Sequence, residues 1–113
     1  MKILILEDDL NRIVKFKEKH INDTIEWSDQ AKEVISKLES NEYDILYLDH
    51  DLGGKQMEWD EDNCGMTVAK YLNDNPLSDA TKIIIHSFNF PAAQRMLQLL
   101  PNATYQPGCW SIK

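Results

Sequence analysis

The chain is short of positive charge. Twelve Lys and Arg stand against nineteen Asp and Glu, for a formal net charge of −7 over 113 residues. That balance opposes non-specific binding to duplex DNA or to an anionic membrane surface. It still allows a small anionic ligand, because a bound cation inverts the local field. Cysteine is scarce as well. Cys64 and Cys109 are far apart and match no zinc-site spacing, so free thiols in a reducing cytosol are expected. No apolar run approaches the roughly 18 residues of a membrane span. The opening "MKILILEDD" turns acidic after a few apolar residues, unlike a signal peptide. With four glycines and four prolines, the chain carries no low-complexity segment, linker or internal repeat. Its 42% hydrophobic content suits one modest core, and its length suits one domain over 1–113. A cytoplasmic location is the expectation.

What is present is alternation. "KILIL" (2–6), "YDILYLD" (43–49) and "KIIIHS" (82–87) are short, nearly continuous apolar runs, as in strands buried on both faces. "TIEW" (24–27) and "ATYQ" (103–106) are weaker strands. Between them lie stretches with helical spacing. Leu10, Ile13, Val14 and Phe16 follow Asp9 as N-cap; Ala31, Val34, Ile35 and Leu38 follow Ser28 as N-cap. "GMTVAKYLND" (65–74) and the segment from Pro91 to Leu100 complete the set. Strands alternating with helices predict a parallel sheet with helices on both faces. For five strands the flavodoxin-like order 2-1-3-4-5 is the leading choice, and it brings the carboxyl ends of strands 1, 3 and 4 to one crevice.

Those ends are polar where the strands are apolar. Strand 1 delivers Glu7, Asp8 and Asp9; strand 3 delivers Asp49, His50 and Asp51; strand 4 delivers His86 and Ser87, with Asn89 beyond; strand 5 delivers Gln106. Helix capping accounts for one acid per turn, not for three together, twice. Clustered carboxylates repel unless a proton or cation intervenes, and all-oxygen sites suit Mg²⁺ or Mn²⁺. Glu7, Asp8, Asp49 and Asp51 therefore read as a divalent-cation site. His86 reads as a general acid or base, or as a ligand. His50 either joins it or, by strand alternation, points to the opposite face. Gly53 and Gly54 permit a tight turn or a close approach to a ligand. The "EWDED" run (58–62) reads as a solvated loop tip, and His20 as a surface residue. Arg12, Arg95 and Lys113 are the candidate anion contacts.

"ILILEDDLNR", "DILYLD", "CGMTVAKYL" and "IIIHS" together resemble a two-component receiver domain over nearly the whole chain. The resemblance implies a receiver-like three-layer α/β fold. It implies Mg²⁺-binding acids at Glu7 and Asp8, a phosphoacceptor at Asp49 and the family's hydroxyl position at Ser87. Three departures stand out. The usual lysine is Gln106, the Asp49–Gly65 loop is longer, and the fifth helix is expected to be missing. A tighter match is to cyclic-phosphate processing receiver domains. "LDHDLGG" and "HSFNFPAAQRM" resemble their two signatures through Asp49, His50, Asp51, Gly53, His86, Ser87, Asn89 and Met96, with Ala92 where a glycine is usual.

Together these readings predict a small metal-dependent phosphoesterase. Its substrate would be a cyclic phosphate, either an RNA 2′,3′-cyclic end or a cyclic nucleotide. Glu7, Asp8, Asp49 and Asp51 would hold one or two Mg²⁺ or Mn²⁺ ions, and His86 or His50 would protonate the leaving oxygen. Ser87 and Asn89 would bind phosphate oxygens; Gly53, Gln106 and Arg12 would line the substrate site. Two rivals keep the same residues. One is a receiver that accepts a phosphoryl group on Asp49; the other is a module that sequesters a nucleotide or a protein without turnover. The oligomeric state is left open, a homodimer included.

Overall fold

The computed structural model describes residues 1–50 and 64–109. Among them the elements run β1 (Lys2–Leu6), α1 (Leu10–Lys19), β2 (Thr24–Ser28), α2 (Ala31–Ser40), β3 (Ile45–Leu48), α3 (Gly65–Asp74), β4 (Lys82–Ile85), α4 (Phe90–Leu99) and β5 (Thr104–Tyr105). The sheet is parallel with order β2-β1-β3-β4-β5, the flavodoxin-like order expected from the sequence. No helix follows β5 among the described residues. None of the helices described is long and apolar enough to cross a membrane.

The pleat divides the apolar strands between two cores. Leu4, Leu6, Leu46, Leu48 and Ile85 pack against α2, α3 and α4 through Val34, Val68, Leu72 and Met96. Ile3, Ile5, Ile45, Tyr47 and Ile84 face α1 through Ile13 and Phe16. Only Ile13 and Phe16 of α1 are buried. Leu10 and Val14, expected on the same stripe, are 64% and 53% exposed, because one narrow seam is all that α1 presents to the sheet. Asp9 caps α1 as expected, accepting from the Asn11 and Arg12 N–H groups at 2.9 and 3.4 Å.

Ser28 differs from expectation. It ends β2, and Gln30 occupies the N-cap position without a side-chain cap bond. Ser28 Oγ instead accepts from the Gln30 N–H at 3.0 Å and donates to Glu33 Oε2 at 2.8 Å. His20 is not a mere surface residue either. Its ring bridges Asp23 Oδ2 (3.0 Å) and the Tyr47 hydroxyl (2.9 Å), which fastens the end of α1 to β3. Cys64 and Cys109 are both free thiols.

Candidate functional site

Register assembles the site. Leu6 pairs with Leu48, and Leu48 with Ile85, so the next residues, Glu7, Asp49 and His86, fall in one row. The backbone continues the ladder: the Asp49 N–H donates to Leu6 O at 3.2 Å, and the His86 N–H to Leu48 O at 2.9 Å. Alternation puts all three side chains on the α1 side, one step beyond Ile5, Tyr47 and Ile84. They are buried at 0%, 3% and 0% exposure. One donor atom from each lies within 4.8 Å of the others.

His86 Nε2 lies 2.7 Å from Glu7 Oε2. The imidazole is held edge-on by Phe16 and Tyr47, with ring centroids 5.4 and 6.3 Å away. Burial dominates the protonation states. It pushes Glu7 up to about 7, against the lowering effect of the Asp9 backbone N–H and the Arg12 charge. It pushes Asp49 up to about 7 as well, opposed by His86 and reinforced by Glu7. It pushes His86 down to about 4, opposed by Asp49. Between about pH 4 and 7 the Glu7–His86 contact therefore holds one proton, which the carboxyl donates to Nε2. Carboxylates kept protonated by burial and mutual repulsion, with oxygen donors converging, fit a divalent cation of the Mg²⁺ or Mn²⁺ type.

Arg12 reaches in from α1. One guanidinium nitrogen lies 3.5 Å from Glu7 Oε1 and 3.8 Å from Asp49 Oδ2, and its Nε lies 3.7 Å from Asp9 Oδ2. The residue is thus the standing counter-charge of the cluster as well as a candidate phosphate contact. Asp8 is half-buried beside it, and its N–H donates to Glu7 Oε1 at 3.1 Å. The three-residue cluster does not include Asp8.

Other expected site residues fall elsewhere. His50 follows Asp49 and so turns to the opposite face. It is 2% exposed and lines a cavity with Cys64, Lys70 and Arg95. A second acid beside His86 is therefore not what this geometry supplies; His50 contributes its backbone N–H, which donates to Asp49 Oδ1 at 2.8 Å. Ser87 shares the His50 side of the sheet. Its Oγ accepts from the Asn89 N–H at 3.0 Å and its carbonyl from the Tyr105 hydroxyl at 2.9 Å. The residue in register with Asp49 is thus His86, one position earlier than the serine assigned to the hydroxyl role. Asn89 caps α4, accepting from the Ala92 N–H at 3.3 Å. Gln106 is exposed, and its N–H extends the β4–β5 ladder to Ile85 O at 2.9 Å. Asp51, Gly53, Gly54, the acidic 58–62 run and Lys113 lie outside the described residues.

One determinant escaped the sequence reading. Gly65 opens α3 directly against β3, with its N–H donating to His50 O at 3.0 Å. A Cβ there would collide with the Asp49 carbonyl oxygen and stand 2.8 Å from His50 Cα. Neither neighbour is a flexible side-chain tip, so the backbone carrying Asp49 would have to move. Gly65→Ala is expected to cost about 3 kcal/mol, the upper part of the overpacking range, in urea denaturation. A loss under about 0.5 kcal/mol, the scale of a neutral surface change, would show that the strand end yields freely.

The comparisons agree with this fold. The family model described as "Cyclic-phosphate processing Receiver domain" matches residues 3–102. Among solved structures, a two-component response regulator from Clostridium difficile superposes with a TM-score of 0.71 at 21% identity, covering 96% of this chain and 83% of that one. The receiver domain of Francisella response regulator 1452 gives 0.70 at 19% identity, with 97% and 85% covered. The response regulator TrrA from Thermotoga maritima, solved in complex with Mg²⁺ and BeF, gives 0.67 at 20% identity, with 94% and 84% covered. A comparison with curated protein sequences found no match. With its receiver topology and a family match over residues 3–102, the chain belongs to the cyclic-phosphate processing receiver domains.

Proposed function

We propose that the Glu7–Asp49–His86 row is the centre of a metal-dependent phosphoesterase acting on a cyclic phosphate. The substrate class is an RNA 2′,3′-cyclic end or a cyclic nucleotide. The observation that carries this reading is the histidine in register with Asp49, hydrogen-bonded at 2.7 Å to a buried glutamate. Glu7 and Asp49 would hold the cation. A bound Mg²⁺ or Mn²⁺ supplies Lewis-acid polarisation of the phosphate and a water made acidic enough to attack it. Ionised Glu7 leaves the shared proton on His86 Nε2, the nearest basic atom, and from there the proton can pass to the leaving oxygen. Arg12 supplies positive charge beside the two carboxylates, where the phosphate's non-bridging oxygens would lie. The family description supports the substrate class.

A second reading is phosphoryl acceptance by Asp49, as a signalling receiver. The receiver fold and the buried carboxylate at the end of β3 favour it. The exposed Gln106 at the lysine position disfavours it, because a phosphoaspartate there lacks its usual cationic partner.

One experiment separates these readings. The protein is incubated with 2′,3′-cyclic AMP, 3′,5′-cyclic AMP and an RNA ending in a 2′,3′-cyclic phosphate, each with Mg²⁺, Mn²⁺ or EDTA, and products are resolved chromatographically. A parallel sample with acetyl phosphate and Mg²⁺ is weighed intact. Ring opening that needs metal, with no added phosphoryl mass, is expected. A phosphoryl adduct that disappears in Asp49→Asn, without ring opening, would establish the acceptor. Retention of the ligands without either outcome would establish a capture module.

A further inference from the structure

The opposite face of the sheet carries a second cavity. A cavity of about 330 Å³ lies beside α3 and α4, and its described lining includes His50, Cys64, Met66, Lys70, Arg95 and Gln98. It is separate from the Glu7–Asp49–His86 row, which faces α1. The two share only the Asp49–His50 peptide.

Three features of this cavity point to an anion. Its described lining holds two cationic side chains, Lys70 and Arg95. Two polar side chains line it while more than nine-tenths buried: His50 is 2% exposed and Cys64 is 6%. Lys70, Arg95 and Gln98, by contrast, are exposed, so long donor-bearing side chains border the cavity's open side. Met66 adds an apolar wall. The same environment stabilises negative charge on sulfur. Burial raises the Cys64 thiol, yet hydrogen bonds from His50 and from Thr67 bring it below its ordinary value. At about 30 Å³ per water-sized volume, the cavity suits a ligand of roughly ten heavy atoms.

We infer that this α3–α4 cavity binds a small organic anion, a phosphate or carboxylate on a compact apolar body. Lys70 and Arg95 would hold the charged group, Gln98 would donate to it, and Met66 would pack on the body. Arg95 has further interactions in the fold, so its part is to redirect a guanidinium already at the cavity. The charge contacts are the discriminating ones, because a neutral ligand leaves them without a partner.

The test is an amide NMR titration of the full chain in EDTA, where a phosphate has no cation at Glu7 and Asp49 to bind. The probes are phenyl phosphate and benzoate, with benzyl alcohol as the neutral control. Saturable shifts are expected at His50, Met66, Lys70, Arg95 and Gln98 for both anions, with benzyl alcohol at least about tenfold weaker. Lys70→Gln with Arg95→Gln is expected to weaken both anions about tenfold or more, the loss of roughly 1.4 kcal/mol of charge contact. Both positions are exposed, and a urea midpoint near that of the wild type is the check that the double variant keeps its fold. Asp49→Asn is expected to leave the anion affinities within about twofold, well under 1 kcal/mol. Shifts unchanged in the double variant, equal binding of benzyl alcohol, shifts centred on Glu7 and His86, or no saturable shift at millimolar probe would each overturn the assignment.

Discussion

His86→Gln is expected to slow single-turnover ring opening of a cyclic phosphate by about 10²-fold or more. Its affinity for Mn²⁺ is expected to stay within about threefold of wild type, a change well under 1 kcal/mol. The glutamine preserves a polar contact for Glu7 but cannot carry a proton through neutral pH. His86→Ala is expected to lose rate similarly and some stability in addition, because the ring is fully buried against Phe16 and Tyr47. The contrast between rate and affinity assigns the role. A proton carrier affects the chemical step; a ligand affects the cation. If Mn²⁺ affinity falls in step with the rate, His86 belongs to the coordination sphere and the leaving oxygen takes its proton from another group.

Asp49→Asn is expected to give the opposite pairing, a site that fails and a fold that gains. Divalent binding should fall by about 10²-fold or more, as expected when one carboxylate of a small hard-cation site becomes a neutral amide. The apo protein at pH 8 should be stabilised by about 2 kcal/mol, discounted from the roughly 4 kcal/mol that three pKa units represent. The reason lies in burial, which pushes Asp49 from 3.8 up to about 7. At pH 8 the folded chain must hold that charge in a poor solvent.

The pH dependence follows with a definite sign. Glu7 and Asp49 bind protons more tightly folded than unfolded, so their contribution is greatest in acid and declines as pH rises through about 7. His86 is lowered to about 4 from 6.5 and acts the other way between those values, cancelling about one of the two protons. The metal-free wild type should therefore lose stability, by one proton's worth of slope, between about pH 4.5 and 6.5. The slope should be nearly flat in Asp49→Asn, where Glu7 and His86 offset each other. Urea midpoints across that range, in EDTA, decide it. A wild type that gains stability toward pH 7 would mean that the buried carboxylates are already stabilised as anions.

The topology was legible because three strands buried on both faces leave runs such as "KILIL" that no surface helix produces. Helix α3 was legible over 65–74 from its apolar spacing, and Asn75-Pro76 marked its end. The acids of the site were legible too, as ionisable residues at the ends of apolar runs. What composition did not disclose was register. Whether Asp49 faces His86 or Ser87 turns on a one-residue offset between β3 and β4, and alternation then sends His50 to the far side. The reach of Arg12 into the cluster was visible only as a helical turn's spacing, without direction. His20 and Gly65 were missed for different reasons. A histidine at a helix end looks like any solvated residue until Tyr47 is placed beneath it. The need for glycine at 65 arises from the carbonyl of residue 49, a contact distant in sequence. Ser87 and Asn89 were read as phosphate ligands, and in the fold their side-chain oxygens accept the hydrogen bonds of a turn and a helix cap.

The central claim is that Glu7 and Asp49 are a cation site held protonated until the cation arrives. Calorimetric titration of Mn²⁺ into the protein at pH 6.5, repeated in two buffers of different ionisation enthalpy, tests it most directly. The predicted result is one saturable site whose formation releases close to one proton, that of Asp49, while the Glu7 proton passes to His86. Saturable binding with no proton release, or no binding at millimolar Mn²⁺, would contradict it.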